Sequence, residues 1–327
     1  MRIALIDIKV GTKVGSSFTA VNMRNMELLK KELNADFYYS TDQLINNNKS
    51  YDVFIFGFSS VNADLEKTVQ WVISNNQCPR IFRLVGEYEQ GTPHVAMYYL
   101  LKRTNWRFEI IRNVDREMGA MGKWCDKQHF ININLLVSKY PNDITEKKYD
   151  CIYYGRWRPD RAKYFKKYIQ GGMYLSTSTK NMKKFKHNGC NPKYLDTIDW
   201  TERRETLNLF RYSLYIEDEY THKVFNNLAN RWYEAGFCNN VVFFDANCWN
   251  TIMKSEIAQW RDEIKDYVVT SHEDLQQKIT DCNEDFGRHL AIQKKWRSGE
   301  QIHRQMMINE LKRIIGVPLP QTAEKQP

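Results

Sequence analysis

The stretch Asp150-Cys-Ile-Tyr-Tyr-Gly-Arg-Trp-Arg-Pro-Asp-Arg161 decides the fold of this chain of 327 residues. It begins with an apolar β-type run, Cys151–Gly155, and passes through an arginine-rich loop into Arg161–Ile169, whose apolar residues have helical spacing. A second β-type run follows at Met173–Leu175. Strand, loop, helix and strand in this succession form the unit from which parallel α/β sheets are built.

The same alternation continues through both halves of the chain. We therefore predict an α/β protein with two Rossmann-like, doubly wound domains that face a central cleft. The other predicted strands are Arg2–Ile8, Ala35–Tyr39, Asp52–Gly57, Arg80–Val85, Phe108–Arg112, Ser213–Ile216 and Val241–Asp245. The other predicted helices are Thr19–Leu33, Leu65–Asn75, Val95–Thr104, Phe225–Ala235, Glu273–Trp296 and Gly299–Ile315.

The polar segment Lys139–Lys148, which contains a proline and an Asn-Asp turn signal, separates the two predicted domains. The breaker Gly316-Val-Pro-Leu-Pro320 ends the last predicted helix. The predicted parts are a first domain over residues 1–142, a second over 149–300, a C-terminal helix over 301–316 that packs back across the domains, and a disordered tail over 317–327.

The composition is that of a globular protein with a surplus of basic residues, because 48 Lys and Arg face 39 Asp and Glu for a net charge of +9. This surplus indicates a polyanionic partner, although a contribution to solubility alone is equally compatible with it. No apolar run approaches the roughly 20 residues that a membrane helix requires, so we predict no membrane partner. The cysteines and histidines lack CxxC and zinc-site spacing, which favours a reducing cytoplasm and predicts no metal site.

Ligands of open α/β sheets bind at the carboxyl ends of the strands, so the loops after strands are the candidate sites. Gly15, Ser16 and Ser17 follow the first strand and could present backbone N–H groups to an anion, or simply connect a strand to a helix. Glu87 follows the strand Arg80–Val85 and could accept a proton from a substrate hydroxyl. The alternative for Glu87 is a solvated surface group.

The loop after Cys151–Gly155 carries Arg158 and Arg161, whose guanidinium groups suit a diphosphate. The alternative is a surface ion pair with Asp160. Arg231 and Glu234 lie three residues apart on one face of a predicted helix. They could form an intrahelical salt bridge, or bind a nucleotide with Arg231 on phosphate and Glu234 on the ribose.

Charged runs complete the set of candidate residues. Glu217-Asp218-Glu219 is a weak divalent-cation site or, as we favour, solvated surface. Two basic clusters could contact DNA phosphates, although each alone is also typical of a solvated helix face. The predicted DNA contacts within them are Lys102, Arg103, Lys183, Lys184 and Lys186.

At these loops the sequence resembles the DNA β-glucosyltransferase family of T-even bacteriophages, which has the two-domain GT-B fold. The resemblance extends over most of the chain and is strongest in Arg80–Glu87, Asp150–Arg161 and Leu228–Asp245. It implies an inverting enzyme that transfers a sugar from a UDP-sugar to the hydroxyl of 5-hydroxymethylcytosine in double-stranded phage DNA. It also implies a monomer in the cytoplasm of the infected bacterial host, with Mg or Mn as optional rather than obligatory partners.

The resemblance also implies roles for individual residues. Glu87 stands where the family has its catalytic aspartate and is one methylene longer. Arg158 matches the arginine of the family's Gly-x-Phe-Arg loop, Arg161 falls within one position of its second arginine, and Arg231-Trp-Tyr-Glu234 corresponds to its Arg-x-Trp-Glu motif. These matches imply that the three arginines contact the donor diphosphate and that Glu234 contacts the ribose.

The identity of the sugar and of the acceptor stays open at this point. The N-terminal loop is shorter than in the family and lacks a clear counterpart of its sugar-contacting glutamate, so both UDP-glucose and UDP-arabinose are candidate donors. A base in duplex DNA must leave the stack to reach a carboxylate in a cleft, which predicts nucleotide flipping. The alternatives are a GT-B glycosyltransferase with a glycan or small-molecule acceptor, and a non-catalytic DNA-binding protein.

Overall fold

The computed structural model of the chain describes ten ranges that together form two compact units. The first unit holds the described residues up to Ile131 and again those from Arg304 onward, and the second holds the described residues from 146 to His303. The described residues are 1–7, 26, 28–57, 63–77, 79–85, 108–112, 127–131, 146–198, 205–217 and 228–318.

The first unit contains a parallel six-stranded sheet of order β2-β1-β3-β4-β5-β6. Its strand order reverses between β1 and β3, as in doubly wound folds. The strands are β1 (Ile3–Ile6), β2 (Asp36–Tyr38), β3 (Val53–Phe56), β4 (Arg80–Val85), β5 (Glu109–Arg112) and β6 (Lys127–Phe130). Its described helices are α1 (Thr41–Asn47) and α2 (Ala63–Asn75), and residues 28–33 are also helical.

The second unit contains a parallel sheet of order β12-β11-β10-β7-β8-β9, which reverses between β7 and β10. The strands are β7 (Tyr149–Tyr154), β8 (Tyr174–Ser176), β9 (Lys193–Leu195), β10 (Phe210–Tyr215), β11 (Val241–Asp245) and β12 (Val268–Val269). The helices are α3 (Ala162–Tyr168), α4 (Thr179–His187), α5 (Glu205–Asn208), α6 (Asn230–Phe237), α7 (Trp249–Ile252), α8 (Arg261–Ile264), α9 (His272–Glu284) and α10 (Phe286–Ile315).

The apolar strands of the first unit are buried on both faces, as central strands of parallel sheets are. Ile3 and Leu5 of β1 pack in one core cluster, whereas Ala4 and Ile6 pack in another on the opposite face. The first cluster is completed from the far end of the chain by residues of α10. These are Ile308, Leu311, Ile314 and Ile315, all buried.

The predicted α/β class and the two doubly wound sheets are confirmed. The strands Arg80–Val85 and Val241–Asp245 have the predicted ends, and β6, β9 and β12 were not predicted. The last two of these are edge strands of three residues or fewer, too short to show a β-type pattern. Within the described ranges, no helix combines the length and apolar character needed to cross a bilayer.

Two helix predictions were wrong. We predicted C-terminal helices at Glu273–Trp296 and Gly299–Ile315. In the structure, α9 ends at Glu284 and α10 runs unbroken from Phe286 to Ile315. The break lies at Asp285, whose carboxylate accepts a hydrogen bond from Arg288 N–H at 3.0 Å and so caps α10. The helix predicted at Phe225–Ala235 begins only at Asn230, after an extended Ala229.

The predicted C-terminal helix over 301–316 is therefore the end of α10, which starts well before residue 301. From Arg304 onward the chain belongs to the first unit. Val317, which we expected to begin a disordered tail, packs against the core of that unit. The predicted helix Val95–Thr104, most of Thr19–Leu33, residues 139–145 of the predicted linker and residues 319–327 lie outside the described residues.

Candidate functional site

The carboxyl ends of β7 and β10 meet at the point where the second sheet reverses its strand order. Gly155 follows β7, Glu217 lies two residues after β10, and Arg231 lies in the first turn of α6. Reversal points of this kind form the ligand crevice of open α/β sheets. The candidate site is built around these three positions.

Glu217 holds two arginines together. One of its carboxylate oxygens lies 2.6 Å from Arg161 Nη2, and the other lies 2.7 Å from Arg231 Nη1. The Glu217 residue is only 4% exposed, and both arginine side chains are also largely buried. We call Arg161, Glu217 and Arg231 the arginine–carboxylate cluster. It carries a net charge of one positive unit in a place with little access to water.

Backbone groups at the strand ends complete the surroundings of Arg231. Its guanidinium donates to Ile216 O at 3.0 Å and to Tyr154 O at 3.2 Å. Burial disfavours the charged guanidinium, but the neighbouring Tyr153 and Glu217 groups outweigh this effect and raise the pKa of Arg231. Among the described residues, Arg231 Nε has no hydrogen-bond partner. The cluster therefore holds an unpartnered buried donor and an excess of one positive charge, and both favour a nearby anion.

Glu234 lies one turn further along α6, and its carboxylate contacts Tyr154 rather than Arg231. It is buried and forms a hydrogen bond with the Tyr154 hydroxyl. Burial, and then the nearby Glu234 carboxylate, raise the pKa of Tyr154 well above its ordinary value, so this tyrosine is a neutral donor. The acid that pairs with Arg231 is thus Glu217 from another element, rather than the neighbour on its own helix.

The loop between β7 and α3 carries Arg158 on the surface. Its side chain is 51% exposed, and its Nε lies 3.6 Å from Asp160 Oδ1, so the surface pair with Asp160 that was the alternative for this residue is present at a long distance. Trp157 fixes the loop, because its N–H donates to Asn181 Oδ1 at 3.2 Å and its ring packs on Phe185. Arg158 is therefore an accessible cation on an anchored loop.

Gly155 begins this loop in a backbone conformation that favours glycine, with φ of +154°. A Cβ atom at this position would lie 3.4 Å from Arg231 Nη2. A side chain would thus combine an unfavourable φ with van der Waals contact against the guanidinium. The glycine allows the loop to pass directly beside the cluster.

The other predicted site residues fall into two groups. Lys183, Lys184 and Lys186 are exposed on α4, which leaves their contact with DNA a prediction. Glu87, Gly15, Ser16, Ser17, Lys102 and Arg103 lie outside the described residues.

The expectation that Glu217 is solvated surface was wrong. Two buried guanidinium groups require a carboxylate, and they hold it inside the protein. Its position directly after a strand is the signal that could have identified it. Because both of its oxygens face cations, Glu217 is poorly placed to bind a metal. Nowhere in the described part of the chain do three or more His, Cys, Asp or Glu residues form a group that could hold a metal ion.

By sequence, the chain matches no protein-family model and no curated protein. By structure, it is similar to T4 phage β-glucosyltransferase, with a TM-score of 0.67 and 15% identity over 96% of this chain and 99% of that one. For the same enzyme in complex with its UDP-glucose substrate, the TM-score is 0.66 and the sequence identity is 16%, again over 96% of this chain and 99% of that one. For an α-glucosyltransferase in complex with UDP and a 13-mer DNA containing an HMU base, the TM-score is 0.59 and the sequence identity is 12%. That match covers 96% of this chain and 99% of the other. The chain therefore has the fold that the family resemblance implied.

Replacing Glu217 by glutamine is expected to destabilise the protein strongly. Glu217→Gln leaves two buried guanidinium groups without a carboxylate, and removing one partner of a buried pair costs roughly 3–5 kcal/mol. The free energy of unfolding should fall by about this amount in urea denaturation. Glu284→Gln, at the exposed end of α9, is the matched control and should change it by less than about 0.5 kcal/mol. Equal effects of both substitutions would show that the cluster is not a stabilising feature.

Proposed function

We propose that the chain is an inverting, UDP-sugar-dependent DNA glycosyltransferase. It transfers glucose, or a pentose such as arabinose, to the hydroxyl of 5-hydroxymethylcytosine in double-stranded phage DNA. The observation that carries this proposal is the arginine–carboxylate cluster, at the reversal point of a fold shared along nearly the whole chain with T4 phage β-glucosyltransferase. That enzyme is known in complex with UDP and Mn²⁺ and with UDP-glucose.

The described residues suit the diphosphate of a nucleotide sugar. Arg161 and Arg231 carry more positive charge than Glu217 neutralises, and planar guanidinium groups match phosphate oxygens in pairs. Glu217 keeps the two groups side by side before the donor binds, which lowers the entropy lost on binding. Arg158 reaches the diphosphate from the loop, and the predicted donor loop Gly15–Ser17 adds backbone N–H groups.

The donor ribose is assigned to Glu234. Its carboxylate can accept hydrogen bonds from two neighbouring hydroxyl groups, and it lies on the same helix as Arg231. The Tyr154 hydroxyl orients it in the free protein. Phosphate and ribose would thus be held by adjacent turns of α6.

Glu87 is assigned as the catalytic base, since it follows β4 by two residues in the chain. Its carboxylate takes the proton of the 5-hydroxymethyl group as that oxygen attacks the anomeric carbon from the face opposite UDP. The bond between the anomeric carbon and UDP breaks, and negative charge grows on the β-phosphate. The arginines stabilise this charge, so we expect neither Mg²⁺ nor Mn²⁺ to be obligatory.

A DNA acceptor accounts for the basic surplus of the chain, with Lys183, Lys184 and Lys186 as candidate phosphate contacts. The α-glucosyltransferase of similar fold is known in complex with DNA containing an HMU base. The acceptor base must be flipped out of the duplex to react. Phage DNA as acceptor places the enzyme in the cytoplasm of the infected host, where we expect it to act as a monomer.

The function is tested by mass spectrometry of nucleosides after incubation of the protein with duplex DNA that contains 5-hydroxymethylcytosine. UDP-glucose and UDP-arabinose are supplied separately. A hexose or pentose increment on hydroxymethylcytidine establishes the activity and the donor together. Thermal stabilisation by UDP without any increment would instead favour a glycan or small-molecule acceptor, and the absence of both effects would favour a non-catalytic DNA-binding protein.

Replacement of Glu87 by glutamine should abolish most of the turnover. Because the amide cannot accept the hydroxyl proton, Glu87→Gln is expected to lower kcat by roughly 10²–10⁴-fold. UDP affinity, measured by calorimetry, should stay within about twofold, since this residue is assigned to the acceptor. Turnover within about threefold of the unaltered enzyme would show that another group is the base.

Changes at the donor residues should weaken UDP binding more than DNA binding. Arg158→Ala is expected to raise the Kd for UDP about tenfold, because a charge-assisted contact to phosphate is lost. Arg211→Ala, which removes a partly exposed arginine paired with Asp150 in the same unit, is the matched control and should change it less than twofold. Calorimetry with UDP and fluorescence anisotropy with labelled DNA separate the two ligands. Parallel losses for both would contradict the assignment of Arg158 to the donor.

A further inference from the structure

A cavity of about 360 Å³ opens at the carboxyl ends of β7 and β8. It is lined by Gly155 after β7, Thr177 after β8, Thr197 after β9 and the first turn of α4. In the sheet, β7 lies between β8 and β10. The cavity lies on the β8 side of β7, whereas Glu217 of the arginine–carboxylate cluster follows β10 on the other side.

The lining of the cavity is rich in hydrogen-bond donors and positive charge. Arg156, Lys180 and Lys184 supply cations, and four serine or threonine residues supply hydroxyl groups. None of the described residues that line it is acidic. Such a lining favours an anion with several acceptor oxygens.

Thr177 is a buried hydroxyl group that lacks a partner. The residue is 5% exposed, and its Oγ1 forms no hydrogen bond with any described residue. Its backbone N–H is already used, since it donates to Leu195 O at 3.2 Å. The adjacent Ser176 differs, because its hydroxyl donates to Asp196 O at 2.6 Å. A buried hydroxyl without a partner is costly, so Thr177 is suited to a ligand that enters the cavity.

The amino end of α4 points to the same ligand. This helix has nine residues, no acidic residue in its first turn, and Ser178 as its N-cap. The first backbone bond along the helix is from Met182 N–H to Ser178 O at 2.8 Å, so the N–H groups of Thr179 and Lys180 precede the ladder. Free N–H groups and the positive end of the helix dipole attract phosphate.

We propose that this cavity binds a phosphate group, and that the phosphate belongs to the backbone of the nucleic acid rather than to the donor nucleotide. Lys183 and Lys186 are further exposed cations of α4 outside the cavity lining, and a polyanion longer than one phosphate can contact several cations on one helix. The choice of DNA as partner rests on the proposed function. Asn181 lines the cavity and accepts a hydrogen bond from the Trp157 N–H, so the cavity adjoins the loop between β7 and α3.

The test uses Thr177→Val, Lys180→Ala and the control Lys166→Ala, an exposed lysine of α3 that does not line the cavity. Affinity is measured by fluorescence anisotropy across a salt series, with one duplex containing 5-hydroxymethylcytosine and one unmodified duplex of the same sequence. Calorimetry with UDP is run in parallel. Thermal melting checks folding, and Thr177→Val should melt no lower than the unaltered protein because its hydroxyl has no partner to lose.

Thr177→Val is expected to raise the Kd for both duplexes about tenfold without changing its salt dependence, because a neutral donor is lost. Lys180→Ala should reduce the slope of log Kd against log salt by about one, as the loss of one phosphate contact does. The control should alter neither quantity, and UDP affinity should stay within twofold throughout.

Three results would overturn the proposal. Weaker UDP binding with unchanged DNA binding would mean that the phosphate belongs to a nucleotide, and unchanged binding of both ligands would mean that the cavity holds no phosphate. Absence of DNA binding by the unaltered chain would also overturn it. By contrast, DNA binding that depends on Thr177 and Lys180 in a protein without sugar transfer would support the phosphate site and contradict only the proposed function.

Discussion

Two guanidinium groups cannot be buried side by side without a compensating anion, and the second unit meets this constraint with one carboxylate. Arg161 comes from the turn before α3, Glu217 from the end of β10 and Arg231 from α6. Each must therefore be held in place by its own element for the contacts at 2.6 and 2.7 Å to form. The sheet, Gly155 and the helices around this point together hold these three charged side chains in contact.

Parallel pairing of β7 with β10 brings the three elements together. The register aligns Cys151 with Tyr212 and Ile152 with Ser213, so both strands end at the same edge of the sheet. The carbonyl groups of Tyr154 and Ile216 at that edge then accept the Arg231 N–H groups. The arginine–carboxylate cluster on one side of β7 and the polar cavity on the other lie at the same strand end.

The central elements were predictable because burial imposes a pattern on them. Strands buried on both faces are rich in apolar residues, and β11, with the sequence VVFFD and every residue buried, therefore has the predicted ends. The edge strand β12 has only two residues and shows no such pattern. The break between α9 and α10 was misplaced because Gly299 resembles a helix end, whereas the capping carboxylate of Asp285 is a weaker local signal that the tertiary structure uses.

The sequence by itself determined the α/β class, the two doubly wound sheets and the loops in which charged residues gather, since these depend on apolar periodicity and on residues close in the chain. It did not determine the partners of those charges. Only the tertiary structure paired Arg231 with Glu217 instead of Glu234, left Thr177 Oγ1 without a partner and placed the last turns of α10 in the core of the first unit. Each of these features depends on elements that are distant in the chain. The pairing of distant strands and helices, which local patterns do not encode, decides which side chains meet.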